Sequence, residues 1–305
     1  MSESIQLQKT VVDGTESGPH LVITGGVHGD EFEPMAALRK LSAHFDGDAR
    51  NGLRGRLTVA PVVNEAAYLR GARTAEDELD LARVCPGDPE GSITERTAHA
   101  LAELIRSADY YMDLHTGGTK ASVWPMSGYY LHPDPEILEK QRTMARAFNL
   151  PAIWGTRMMG GRSLSVSCEA GIPGIYAEYH GSATCDAEGV DEYVQGCLNL
   201  MSHLNMIDRP APPSRVLHFV EDDRDDAGIM DLHNQSPLTG YFDSAVQLGD
   251  YVEKGSPLGT VCDVLGADVR EVCSESSGYV LTLRTYPRII AGDMLAVILE
   301  APPAG

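Results

Sequence analysis

Apolar positions along the first two thirds of the chain follow two alternating rhythms. Short apolar runs, such as Leu21-Val22-Ile23, are bounded by glycine or polar turns and read as buried strands. Longer stretches carry apolar residues every third or fourth position and read as one-sided helices. Strands are predicted at Gln6–Val12, Leu21–Thr24, Leu57–Val63, Tyr110–Leu114, Ala152–Trp154 and Gly174–Tyr179. Helices are predicted at Pro34–His44, with Met35, Leu38 and Leu41 on one face, and at Thr94–Ser107, Pro135–Asn149 and Val190–Asn205. Strands alternating with helices imply an α/β fold, a sheet covered on both faces. The rhythm stops at Arg209-Pro-Ala-Pro-Pro-Ser214, whose prolines cannot continue a helix. Beyond it lie only short β-like runs and glycine turns. Ser236-Pro-Leu-Thr-Gly-Tyr241 echoes Ser274-Glu-Ser-Ser-Gly-Tyr279, which predicts two similar β halves in one small sandwich. The expected division is a main domain over 1–208, a linker over 209–214 and a β-rich domain over 215–305.

Three of the predicted strands end in polar residues suited to metal chemistry. Thr24-Gly-Gly-Val-His-Gly-Asp-Glu31 presents His28 and Glu31 on a glycine turn. Tyr110-Tyr-Met-Asp-Leu-His115 ends at Gly117-Gly118, and Gly174-Ile-Tyr-Ala-Glu178 precedes Tyr179-His180-Gly181. Ligands bind at the carboxyl edge of open α/β sheets. His28, Glu31 and His115 form a two-histidine, one-carboxylate donor set suited to one zinc ion with a vacant position for water. Such an ion lowers the pKa of water and polarises a carbonyl. Glu178 is placed to take a proton from that water and pass it to a departing amine. Asp113 shares a strand face with His115 and either orients it or is a plain strand-end polar residue. The polar stretch Arg73–Gly87, preceded by Val63-Asn64, offers arginines to stabilise an oxyanion and bind a substrate carboxylate. Arg70 is an alternative to Arg73, and Asn64 is a further substrate-binding candidate. Trp124, Met126 and Tyr129 are candidates either for the pocket wall or for packing.

Composition narrows the picture only a little. The 305 residues suffice for one large domain and a small one, and no apolar run approaches the ~18 residues of a membrane span. The N-terminus has no basic segment followed by an apolar one, so no secretory signal is expected and the cytoplasm is the default location. The net charge of −20 argues against nucleic acid as a partner. Six scattered cysteines lack a C-x-x-C pair, so a thiolate zinc site is not expected. They are expected to be reduced and largely interior. A homo-oligomer is compatible with everything so far.

Taken in order, these residues resemble the succinylglutamate desuccinylase/aspartoacylase family, a branch of the zinc-carboxypeptidase-like fold. The family pattern is H-G-x-E, an arginine, D-L-N-R-x-F-P-G, D-x-H, and a late glutamate before a glycine-containing turn. This chain has His28-Gly-Asp-Glu31, Arg73, Asp80-Leu-Ala-Arg-Val-Cys-Pro-Gly87, Asp113-Leu-His115 and Glu178. The resemblance covers nearly the whole chain. It implies zinc on His28, Glu31 and His115, Glu178 as general base and acid, Arg73 polarising the scissile carbonyl and Arg83 on an acidic group of the substrate. It also implies a mixed, mostly parallel sheet flanked by helices, with a C-terminal β-barrel/sandwich-hybrid appendage similar to lipoyl and biotinyl modules. Cys262 to Cys273 holds no lysine to modify, which argues against a carrier role. Ala82 replaces the family's asparagine and Cys85 its phenylalanine, so an amide that would help hold a substrate carboxylate is missing and Arg83 is left to bind it. The implied activity is a zinc amidohydrolase removing an acetyl- or succinyl-type group from a small N-acylated amino acid or related amide. The alternatives are a carboxypeptidase on short peptides, against which Ala82 counts, and a non-catalytic zinc-containing binding protein.

Overall fold

A computed structural model describes residues 5–47 and 52–303. The elements in chain order begin with β1 (Thr10–Asp13), β2 (Glu16–Thr24), α1 (Phe32–His44), β3 (Arg54–Ala60), α2 (Glu65–Arg70), α3 (Leu81–Val84) and α4 (Ile93–Arg106). They continue with β4 (Tyr110–His115), β5 (Ala121–Tyr130), α5 (Pro135–Phe148), β6 (Ala152–Thr156), α6 (Ser163–Glu169), β7 (Gly174–Gly181) and α7 (Ala187–His203). The C-terminal part supplies β8 (His218–Asp222), β9 (Gly240–Ser244), β10 (Tyr251–Val252), β11 (Pro257–Cys262), β12 (Val269–Cys273), β13 (Gly278–Arg284), β14 (Arg288–Ile289) and β15 (Ala296–Leu299).

The centre of the main sheet is the parallel set β3–β2–β4–β7. Leu21 and Ile23 of β2 point to the face covered by α1, α5 and α7, where Leu38, Leu41, Phe148 and Tyr193 complete a core. Val22 points to the opposite face, among Leu101 and Ile105 of α4 and Leu164 of α6. Alternate side chains of one strand therefore enter two different cores, which is why β2 reads as an unbroken apolar run. β1 and β5 run antiparallel to their neighbours β3 and β7, so the sheet is mixed.

The long strand β5 joins the two ends of the molecule. Its first residues, Ala121–Val123, pair with β13, while Met126–Tyr130 pair with β6. The register against β7 shifts between Val123 and Met126, around Pro125, as expected where a residue without an N–H interrupts a ladder. In the C-terminal part, β12–β11–β9–β14 form a four-stranded antiparallel sheet. It encloses Phe242, Leu258, Val261, Val280 and Leu295 against β10, β13 and β15. One layer of this sandwich is thus continuous with the main sheet. β8 also joins the main sheet, parallel to β6. Cys85, Cys168 and Cys197 are buried, Cys262 is partly exposed, and Cys185 and Cys273 are exposed.

Candidate metal centre

β2, β4 and β7 are parallel neighbours, so their carboxyl ends open on one edge. Thr24 lies opposite Asp113, and His115 lies opposite Glu178. After β2 the chain turns through Gly25 and Gly26 and enters α1, whose N-cap is Glu31. Gly29 is required here, because a Cβ would lie 2.1 Å from the Ala67 carbonyl carbon of α2. The turn therefore packs directly on α2, and His28 is aimed across the sheet edge toward His115.

His28 Nδ1 lies 2.7 Å from Glu31 Oε1, and His115 Nδ1 lies 3.0 Å from Glu31 Oε2. One donor atom from each of these residues falls within 4.8 Å of the other two. The remaining ring nitrogens have carboxylate partners. His28 Nε2 is 3.1 Å from Asp80 Oδ1, and His115 Nε2 is 3.1 Å from Asp113 Oδ2. Carboxylates on the outer nitrogens fix both rings with Nδ1 inward, the usual support for a metal-bound imidazole. The residues present therefore fit a divalent metal ion. Asp113 acts on His115 as the orienting alternative requires. It is fully buried, accepts from Thr24 Oγ1 at 2.7 Å, and also accepts from Ser163 Oγ. Asp80 stands out in the sequence only as the first residue of a motif, and spacing does not reveal its contact with His28.

The charges bear this out. Burial works against ionising Glu31, but His28 and His115 outweigh it and hold its carboxyl far below the usual range. Burial likewise opposes the charged form of His115, and Asp113 and Glu31 reverse that and raise it. Glu178 behaves in the opposite way. Burial pushes its carboxyl up to about 8, with Glu31 adding to the rise and His115 opposing it. Its Oε2 is buried without a hydrogen-bond partner, as befits a group that awaits one from outside the chain.

A cavity of about 920 Å³ opens from this centre. Arg73 reaches into it, holding Asp80 Oδ2 at 3.0 Å and approaching Glu31 Oε1 at 3.8 Å. Arg83 also lines it, near Arg162. Burial lowers the Arg83 pKa, and the Arg162 charge lowers it further, so two cations face the same space. Arg162 is absent from the sequence expectations. Its signal was the recurring strand-then-glycine pattern, since Gly160-Gly161-Arg162 follows the end of β6 and caps α6. Asn64 and Arg70 are not brought into the cavity. The Asn64 side chain is buried and caps α2, accepting from the Ala67 N–H at 3.1 Å, and Arg70 is exposed on the last turn of that helix. Met126 and Tyr129 are fully buried, and Trp124 packs against Tyr279 and His218. His180 lies against Tyr179, outside the cavity wall. The C-terminal part adds Met230, Asp231, Arg284 and Tyr286 to the cavity wall. No helix among the described residues is long and apolar enough to cross a membrane.

Comparison with known proteins agrees with this geometry. Residues 17–204 match the succinylglutamate desuccinylase/aspartoacylase catalytic domain. An N-alpha-acetyl-L-2,4-diaminobutyric acid deacetylase of Halomonas elongata is 31% identical, over 97% of this chain and 86% of that protein. A crystal structure of a succinylglutamate desuccinylase/aspartoacylase from Rhodobacter sphaeroides superposes with a TM-score of 0.87 at 27% identity, covering 98% of this chain and 90% of that one. The product-bound ectoine utilization protein EutE (DoeB) from Ruegeria pomeroyi superposes with a TM-score of 0.85 at 26% identity, covering 95% and 87%. With the ordered motifs, the sheet and the His-Glu-His cluster all in place, the chain belongs to the succinylglutamate desuccinylase/aspartoacylase family of amide-cleaving hydrolases.

Proposed function

We propose that this deacylase of N-acylated amino acids holds one zinc ion per chain through His28, Glu31 and His115, with Glu178 as general base and acid. The observation that carries the proposal is the meeting of those three donors beside the unpartnered carboxylate of Glu178. Zinc, when bound, supplies a Lewis acid that lowers the pKa of water and polarises a carbonyl. The chain's own groups account for the rest. Glu178 takes a proton from the water that adds to the acyl carbonyl carbon, and returns it to the nitrogen as the amide C–N bond breaks. The products are a carboxylic acid and a free amine. Arg73 donates to the carbonyl oxygen as negative charge develops there. Arg83 and Arg162 form a paired, forked donor site for the substrate carboxylate. Arg162 supplies a second donor where Ala82 offers no amide. Asn64 and Arg70 have no part in this scheme, since neither lines the cavity. The similarity to a diaminobutyrate deacetylase favours an acetyl group over a succinyl one. The same reading treats 1–208 as the hydrolase part, 209–214 as a linker and 215–305 as an appended β part that completes the pocket.

The test compares wild type with Glu178→Gln on N-acetyl amino acids, N-succinyl amino acids and dipeptides, with metal content measured on both proteins. The Gln variant is expected to keep its metal and lose about 100-fold or more in turnover. Cleavage of dipeptides alone would select a carboxypeptidase. Absence of turnover would select a non-catalytic zinc-containing protein, and turnover indifferent to the substitution would remove Glu178 from the mechanism.

A further inference from the structure

The carboxylates lining the cavity are nearly all engaged by the chain itself. Asp30 accepts from the Thr119 N–H and hydroxyl at 2.9 and 2.8 Å. Asp80 and Asp113 hold the two histidines, and Glu31 faces both of them. Asp293 accepts from Arg284 at 3.0 Å and from the Ile290 N–H at 2.9 Å. Glu178 is assigned to proton transfer. Asp231 is the exception. It lies on a single 3-10 turn, Met230–Leu232, that the C-terminal part sets against the cavity. Its side chain is exposed and has no hydrogen-bond partner among the described residues. Its charge is felt by Arg83, where it opposes the lowering caused by burial and by Arg162. The cavity wall therefore carries a pair of cations and, close enough to act on Arg83, an anion that no hydrogen bond engages.

We propose that Asp231 is a specificity-determining residue that binds a side-chain ammonium of the substrate while Arg83 and Arg162 bind its carboxylate. The inference rests on the deacylase reading and narrows it to N-acylated diamino acids. An N-acyl diamino acid carries both a carboxylate and an ammonium on one short chain. A charge-assisted hydrogen bond from an ammonium to a carboxylate is among the stronger polar contacts. It is available only to a substrate whose second nitrogen is unacylated.

Three substrates of equal length isolate this contact: the N-alpha-acetyl derivatives of L-2,4-diaminobutyrate, L-norvaline and L-glutamate. Wild type is expected to prefer the diamino substrate over the norvaline one by about 10- to 100-fold in kcat/KM, the range of a charge-assisted hydrogen bond. Asp231→Asn should remove that preference by lowering kcat/KM for the diamino substrate alone. Asp231→Lys should shift preference toward the glutamate derivative. Calorimetric binding of free L-2,4-diaminobutyrate should weaken by a similar factor in Asp231→Asn, a readout independent of turnover. A preference unchanged in Asp231→Asn, with the substrates still hydrolysed, overturns the role of Asp231 and leaves the deacylase reading standing. Wild-type preference for the norvaline or glutamate derivative overturns it equally. If wild type cleaves none of the three and no other N-acyl amino acid, the deacylase reading itself falls and takes this inference with it.

Discussion

Asp80 shows how one side chain serves several neighbours. It holds His28 Nε2, pairs with Arg73 and accepts from the Ala82 N–H at 2.9 Å, which starts α3. Burial opposes its ionisation, but the His28 hydrogen bond and the Arg73 charge prevail and hold its carboxyl far below the usual range. A carboxyl depressed in the folded state adds stability above its unfolded pKa of ~3.9, and that stability is lost as pH falls toward the folded value. Metal-free Asp80→Asn is therefore expected to be less stable than metal-free wild type by about 1–3 kcal/mol at pH 7. The gap should shrink progressively below about pH 4. Denaturation midpoints of the two proteins across pH check this, and a gap that widens in acid would contradict it. Asp113 is supported by hydroxyls rather than by an arginine. Thr24 and Ser163 satisfy it without neutralising it, so the Asp113 carboxylate keeps its negative charge facing the outer nitrogen of His115. Ser163 follows Arg162 directly, so the start of α6 supports a candidate metal ligand, His115, through Asp113 and offers a cation to the cavity at once.

At the scale of elements, the sequence was most readable where one residue type had one job. The strand-end histidines and Glu178 stood out because each closes a buried apolar run beside a glycine turn, where a polar donor serves a ligand better than it serves packing. β2, β4, β7 and the four long helices were legible for the same reason, with boundaries moved by one to three residues except in β2, which begins at Glu16 rather than Leu21. β5 was not. Pro125 and Gly128 interrupt its ten residues, and its two halves serve different partners, so no single alternation marks it. The short helices α2, α3 and α6 escaped because four to seven residues are too few to show a helical period. Asn64 drew notice as a polar residue after a strand, and its side chain starts α2 instead. Arg162 escaped because α6 itself did. Asp231 could not be found from local pattern at all, since its position depends on how the C-terminal part packs on the main sheet.

The molecule as a whole is tied together through its sheet. Val123 and Met126 of the hydrolase part share a cluster with Leu281, Val297 and Leu299 of the C-terminal part. The Thr285 and Tyr286 N–H groups donate to the Lys120 carbonyl, next to Thr119, which Asp30 holds against the metal motif. Losing three such aliphatic side chains from a core costs roughly 5–9 kcal/mol, at roughly 1.5–3 each. That is comparable to the whole net stability of a typical domain, about 5–15 kcal/mol. A fragment of residues 1–208 is therefore expected to show no cooperative thermal unfolding. A sharp transition near that of the full chain would show that the appended part contributes substrate contacts without supporting the fold.

Hydrolysis by this chain should require one metal ion held by His28, Glu31 and His115. Titrating chelator-treated full-length protein with zinc, while following acetate release from N-alpha-acetyl-L-2,4-diaminobutyrate, measures this directly. Activity should be absent at the start, rise in proportion to added zinc and level off at one equivalent per chain. Full activity before zinc is added, or none after several equivalents, would contradict it.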